Sequence, residues 1–169
     1  MDFAKLAAER YSLRKFSGRP VEPEKLAAVL EAGHNAPTAH NNQPQRILVL
    51  QSAEALEKAD ACPAAHFHPP VMLVVAYDPE AAWKREEDGK NHGEIDAAIA
   101  ATQMTLQAAD LGLGTTYVGM FDPEKLRWMN AEYIRRLTPE AFTEHAMPYY
   151  EQAGVARMDA DILCRILQP

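Results

Sequence analysis

The run EIDAAIAATQMTLQAADLGLG, residues 94 to 114, constrains the fold more than any other stretch. Ile95, Ile99 and Leu106 recur at helical spacing among many alanines, which predicts one long helix from Glu94 to Leu111. Small side chains let a neighbouring helix approach closely, so such a helix packs centrally or across a dimer. Gly112 or Gly114 supplies the stop, because glycine takes the left-handed conformation that ends many helices.

Shorter segments of both periods surround it. Phe3, Leu6 and Ala7 come after Asp2, a good N-cap, and predict a helix to about Arg10. Val21-Glu22-Pro23 opens a second helix, with Leu26, Val29 and Leu30 as its apolar stripe and Gly33 as its C-cap. RILVL and VMLVVAY predict strands, separated by a short helix from Ser52 to about Ala59. The second strand is apolar on both faces, the pattern of a strand covered on both sides. WKREEDGKNHG, residues 83 to 93, predicts a solvated charged loop in which Trp83 packs or contacts a partner. TTYVGM, residues 115 to 120, predicts a further strand, and Asp122-Pro123 caps a helix containing Leu126 and Met129.

At 169 residues there is room for one domain with a real core. The net charge of −7 excludes a general grip on nucleic acid or acidic membrane, which needs a basic surface. Cys62 and Cys164 lack a CxxC spacing, the N-terminus has no signal-peptide core, and no apolar run approaches a membrane span. A soluble, cytoplasmic protein is expected. His66 and His68, with Cys62 nearby, lack a third ligand at a recognised metal spacing, so no metal is expected. GLGT lacks the lysine and the strand-before-loop order of a phosphate loop and is better explained as a helix stop.

Two segments remain as candidates for chemistry. RYSLRKF, residues 10 to 16, places Arg10, Ser12 and Arg14 at i, i+2 and i+4, so an extended backbone turns all three to one side. Two guanidinium forks and a hydroxyl suit a phosphate monoester; a solvated basic edge paired with local glutamates is the alternative. HNAPTAHNNQPQ, residues 34 to 45, offers the amides of Asn41, Asn42 and Gln43 for reading a polar heterocycle, although Asn and Pro also simply make turns.

RYSLRKF, then APTAHNNQPQ about one helix later, then EIDAAIAATQMTLQAADLGLGTTYVGMFDPEKL, resembles the nitroreductase family in order and spacing over about residues 1 to 126. The resemblance implies an α+β fold, a sheet packed with helices, that forms a homodimer with FMN at the subunit interface. It implies that Arg10, Ser12 and Arg14 hold the FMN phosphate and ribityl chain and that Tyr11 lies along the flavin through its backbone. Pro37, Thr38, Asn41, Asn42 and Gln43 would approach the cofactor from the partner subunit or the same one, and Val118 and Gly119 would pass close to the ring. The implied chemistry is ping-pong: NAD(P)H reduces the flavin and leaves, then a nitroaromatic, quinone or similar acceptor takes the electrons. No catalytic side chain is needed for that, since the flavin carries the hard step.

From about residue 122 to 169 the wording changes. WMNAEYIRRLTPEAF and the residues after it resemble a segment of bacterial glutamyl-tRNA synthetases, and neither the family's usual closing strand nor its late basic phosphate contact is evident. The expected organisation is a nitroreductase-like FMN-binding domain over 1–122 and an atypical helical extension over 123–169. From Pro123 onward six Lys or Arg stand against seven Asp or Glu, which weighs against an RNA grip. The alternatives to an active oxidoreductase are a flavin-binding remnant without turnover and an RNA-associated module.

Overall fold

The computed structural model describes residues 2–63 and 66–126. Residues up to Met120 belong to one compact unit. Helix α1 spans Phe3–Glu9, and the Asp2 carboxylate accepts the Ala4 N–H at 3.2 Å as its N-cap. The chain leaves α1 at Arg10 with extended dihedrals, φ −60° and ψ 127°. Helix α2 spans Pro23–His34, with proline in the first turn, where a missing N–H costs nothing.

The expectation that Gly33 caps α2 is corrected. Gly33 lies inside the helix, buried, and the C-cap is Asn35. A Cβ on Gly33 would lie 2.6 Å from Met104 Sδ and 3.1 Å from Ile47 Cδ1. Close packing therefore favours glycine here, since any larger residue would push the Met104 and Ile47 side chains aside.

Strand β1, Gln45–Leu50, pairs antiparallel with β2, Met72–Tyr77, in an unbroken register from Gln45 opposite Tyr77 to Leu50 opposite Met72. Helix α3, Ala53–Asp60, lies between them in sequence and is capped by the Ser52 hydroxyl, which accepts the Ala55 N–H at 3.2 Å. Among the described residues these two strands are the whole sheet. β2 is half-buried along most of its length and Ala76 is exposed, so full cover on both faces is not found. Ile47, Leu73 and Val75 share one face by the two-residue period, and they pack against the core around Val29 of α2.

The long helix, α4, spans Gly93–Asp110. Its buried face is Gly93, Asp96, Ala97, Ala100, Met104 and Ala108, not the stripe of Ile95 and Ile99. Ile95 is 43% exposed and Ile99 half-buried, while Met104 and Ala108 complete the core with Val29. The small residues turn inward because α2 and the sheet come close on that side. Gly112, at φ 75° with open space around it, delivers the left-handed stop, and Gly114 lies against Leu13.

TTYVGM is not a regular strand. Thr115 makes a single parallel bridge to Ser12, and residues 116–120 have no ladder partner among the described residues. A strand needs a neighbour to saturate its amides, and among the described residues one is offered only at Ser12 and Leu13. Residues 121–126 belong to the second unit, where the Asp122 carboxylate accepts the Glu124 N–H at 3.0 Å and starts a helical turn. Met129, Cys164 and the rest of the expected helical extension lie outside the described residues.

Candidate functional site

The candidate residues fall into two groups, one joined to the segment that follows α4 and one joined to the first turn of α4 through Asp96. The first joins the arginine segment to the stretch after α4. Leu13 N–H donates to the Thr115 carbonyl at 2.9 Å, beside the single bridge of Ser12 to Thr115, and Arg10 before it has extended dihedrals. Leu13 turns toward Gly114, so by the strand period Arg10, Ser12 and Arg14 share the opposite side. Arg14 is exposed and Arg10 and Ser12 are half-buried. Arg14 donates to its neighbour's carbonyl, Ser12 O, at 3.4 Å. Among the described residues neither arginine has a carboxylate partner, although this chain carries 24 acidic residues. Of the alternative, a solvated basic edge paired with local glutamates, the glutamate pairing is not seen among the described residues, while Arg14 is solvent-exposed.

Beside this segment, Val118 and Gly119 are exposed, and a Cβ on Gly119 would meet nothing within 4 Å. Tyr11 is 65% and Met120 76% exposed. The Tyr117 hydroxyl donates to Thr102 Oγ1 at 3.4 Å, so the tip of this side chain reaches the middle of α4. On α4 itself Glu94, Ile95, Ala98, Ile99, Thr102 and Gln103 line an open apolar groove of about 440 Å³.

The second group is the Asn-rich loop, which ends in a short 3₁₀ turn at Ala39–Asn41. His40, Asn41 and Gln43 have φ of 53°, 56° and 49°. Three non-glycine residues in the left-handed region within four positions are strained, and such strain gathers at ligand-facing loops. The Thr38 hydroxyl accepts the Gln43 N–H at 3.0 Å and closes the loop. The Asn42 side chain donates to the Ala81 carbonyl at 3.0 Å, so its amide is engaged within the chain. Pro37, Asn41 and Gln43 are exposed, and Thr38 is half-buried.

The expected wet loop 83–93 is only partly wet. Lys84 pairs with Asn91 across a bridge, and the charged tip is pinned by a two-toothed contact of Arg85 with Asp88. That guanidinium, with the Lys90 N–H adding to it, lowers the Asp88 carboxyl to about 2. Trp83, however, turns inward. The His40 ring stacks on it at 4.9 Å, and His92 meets it edge-on at 4.7 Å.

Beneath the loop lies a residue that the motifs did not single out. Asp96 is 2% exposed, and its Oδ1 accepts the Ala39 N–H at 2.9 Å. The signal that would have found it is a carboxylate on the line Gly93, Ala97, Ala100, Met104, which helical spacing places inside.

His66 and His68 both direct Nδ1 at Asp60, at 3.0 and 3.4 Å. Among the described residues no cluster of three or more His, Cys, Asp or Glu has the arrangement of a metal site. No helix there is long and apolar enough to cross a membrane.

Comparison with known proteins gives two separate matches. The nitroreductase family model matches residues 7–137, well over half of the chain and past the Leu126 limit of the motifs. A nitroreductase family protein of Clostridium difficile 630 is 40% identical and superposes with a TM-score of 0.74, covering 76% of this chain and 74% of that one. A nitroreductase-type protein from Desulfovibrio desulfuricans, solved in complex with FMN, is 25% identical with a TM-score of 0.68, covering 83% and 79%. Glutamate–tRNA ligases of Clostridium botulinum are 46% identical over 48 residues, 28% of this chain, in the C-terminal segment whose wording resembles them. The chain spans about a tenth of those ligases' length. The extended arginine segment beside Thr115, the α+β core around α4 and the matches over residues 7–137 converge on one conclusion: the chain belongs to the nitroreductase family.

Proposed function

We propose that this protein is a cytoplasmic, FMN-dependent NAD(P)H oxidoreductase of the nitroreductase type, working as a homodimer on nitroaromatics, quinones or similar acceptors. The observation that carries the reading is the pair Arg10 and Arg14, extended beside Ser12 with no carboxylate partner among the described residues, in a chain of net charge −7. Guanidinium groups without a carboxylate partner have capacity for an external anion, and a phosphate monoester matches their fork geometry. The FMN bound by the Desulfovibrio desulfuricans relative is the support from comparison.

In this reading Arg10, Ser12 and Arg14 hold the phosphate and Tyr11 lies along the ribityl chain. Val118 and Gly119 flank the ring, where the open space at Gly119 permits close backbone approach. Pro37, Thr38, Asn41, Asn42 and Gln43 come from the partner subunit, Asn42 through its backbone because its amide is engaged with Ala81. FMN, when bound, supplies the electron transfer that no side chain of this protein provides. The chain's own work is to grip, orient and exclude water, and no residue is assigned as nucleophile or base.

The two-chain site is argued from the geometry of α4. From Asp96, which grips the Asn-rich loop, to Asp110, which precedes the arginine side, the helix runs 14 residues, ~20 Å at 1.5 Å per residue. A second copy laid against the exposed side of α4 would bring one chain's loop to the other's arginines. Ile95, Ala98 and Ile99 give that side the apolar surface an interface needs. Residues 1–122 form the cofactor domain in this proposal, and 123–169 a helical extension.

The test is the absorption spectrum of purified protein before and after NADPH, with its mass in solution. Flavin absorbance that bleaches on NADPH and recovers with a nitroaromatic or quinone supports the proposal. Colourless protein that FMN cannot reconstitute refutes it. The synthetase-like C-terminal segment favours a second reading, a flavin-binding protein without turnover, which would be yellow yet inert to reductant.

A further inference from the structure

The Asn-rich loop is held by a carboxylate whose burial is hard to explain by stability. Asp96 is 2% exposed, its Oδ1 accepts the Ala39 N–H at 2.9 Å, and Oδ2 is buried without a hydrogen-bond partner among the described residues. A buried carboxyl with one oxygen unpartnered is worse for stability than a packed apolar residue of similar size. What Asp96 does reach is the one backbone N–H immediately before the left-handed turn at His40 and Asn41. The same stretch of chain adds two further grips, Ala81 O on the Asn42 amide and Trp83 on the His40 ring. Three contacts from residues 81–96 thus converge on residues 39–42, and Asp96 is the charged and most deeply buried of them.

We infer that Asp96 is a positioning residue: its buried carboxylate, through the Ala39 N–H, fixes the strained 38–43 loop in the conformation that is offered to the flavin. The ligand in that statement rests on the proposed flavin reading. The grip on the loop is a property of the chain by itself.

The test uses the full chain as wild type, Asp96→Leu and Asp96→Asn, and reads amide hydrogen exchange over residues 38–43, FMN affinity and unfolding temperature. Asp96→Leu, which removes the acceptor but fills the space, is expected to speed loop exchange at least ~ten-fold while α2 and β1 stay protected. Its FMN affinity is expected to fall roughly ten- to a hundred-fold, the range of one charge-assisted hydrogen bond. Asp96→Asn keeps an oxygen for Ala39 and should fall between the two, a rescue that lost packing would not produce. Loop exchange in Asp96→Leu equal to wild type overturns the inference. Should Asp96→Leu fail to fold, Asp96→Asn decides, because several-fold faster exchange at Ala39 supports the role and unchanged exchange overturns it. Wild type that binds no FMN sinks the flavin reading instead, and the exchange arm still judges Asp96.

Discussion

Replacing Arg10 and Arg14 together by glutamine separates binding from folding. Arg14 makes one long hydrogen bond, 3.4 Å to the Ser12 carbonyl, and neither arginine has a carboxylate partner among the described residues. Surface changes of that kind move stability by no more than about 0.5 kcal/mol, so the unfolding midpoint should shift by less than ~4 °C. Ligand binding should respond differently. A hydrogen bond to a charged group is worth ~1.5–3 kcal/mol, and the partial exposure of these side chains places each at the lower end, a loss of about ten-fold. Both arginines address one phosphate, so the double variant should lose about a hundred-fold at most, with some non-additivity. FMN titration monitored by quenching of flavin fluorescence measures this directly. The gap between wild type and variant should also narrow with added salt, as the screening length falls from ~10 Å at 0.1 M to ~3 Å at 1 M. A double variant that binds FMN as tightly as wild type at low salt would refute the assignment of these guanidiniums to the phosphate.

Three further outcomes are expected. Gly93→Ala would drive a Cβ into the Tyr77 ring and should cost ~1–3 kcal/mol, as overpacking does, whereas Gly112→Ala meets open space and should lose only the ~1–2 kcal/mol of a left-handed alanine; chemical denaturation compares them, and equal tolerance of Gly93→Ala would show that the ring moves aside. Ile95→Glu places a charge on the exposed face of α4 and should shift the mass in solution from dimer to monomer, read by light scattering, with little change in monomer fold. The Asp88 carboxyl should titrate near about 2 by carbon NMR, because Arg85 stabilises its charged form. With the folded value below the ordinary 3.8, its contribution to stability is present above that value and fades as pH falls toward about 2; Arg85→Gln should return the midpoint toward 3.8.

Much of the local structure was legible because it depends on neighbours in sequence. Asp2 caps its helix as expected, the helix expected from Ser52 begins there with Ser52 as its cap, Pro23 opens α2, and Gly112 ends α4, since capping oxygens, a proline nitrogen and a positive φ act within a turn. RILVL and VMLVVAY are strands, and the family wording in three separated motifs pointed to the fold class. Arg10 leaves α1 with extended dihedrals and Ser12 bridges Thr115, the local geometry in which alternate spacing has meaning.

What the letters left open depends on residues far apart. Gly33 is glycine because Met104 and Ile47 arrive beside it, and Asp96 matters because Ala39, 57 residues away, donates to it. Ile95 and Ile99 have the spacing of an inner face of α4, yet close approach of α2 turned the alanines inward and left the isoleucines for another surface. TTYVGM has the composition of a strand but among the described residues finds only Ser12 and Leu13 to pair with. Sequence set the intrinsic preferences of each segment and the chemistry each can offer. Tertiary packing alone decided which face is buried, which amide is claimed and which guanidinium lacks a carboxylate partner among the described residues, because those depend on which distant groups the fold brings within a few ångströms.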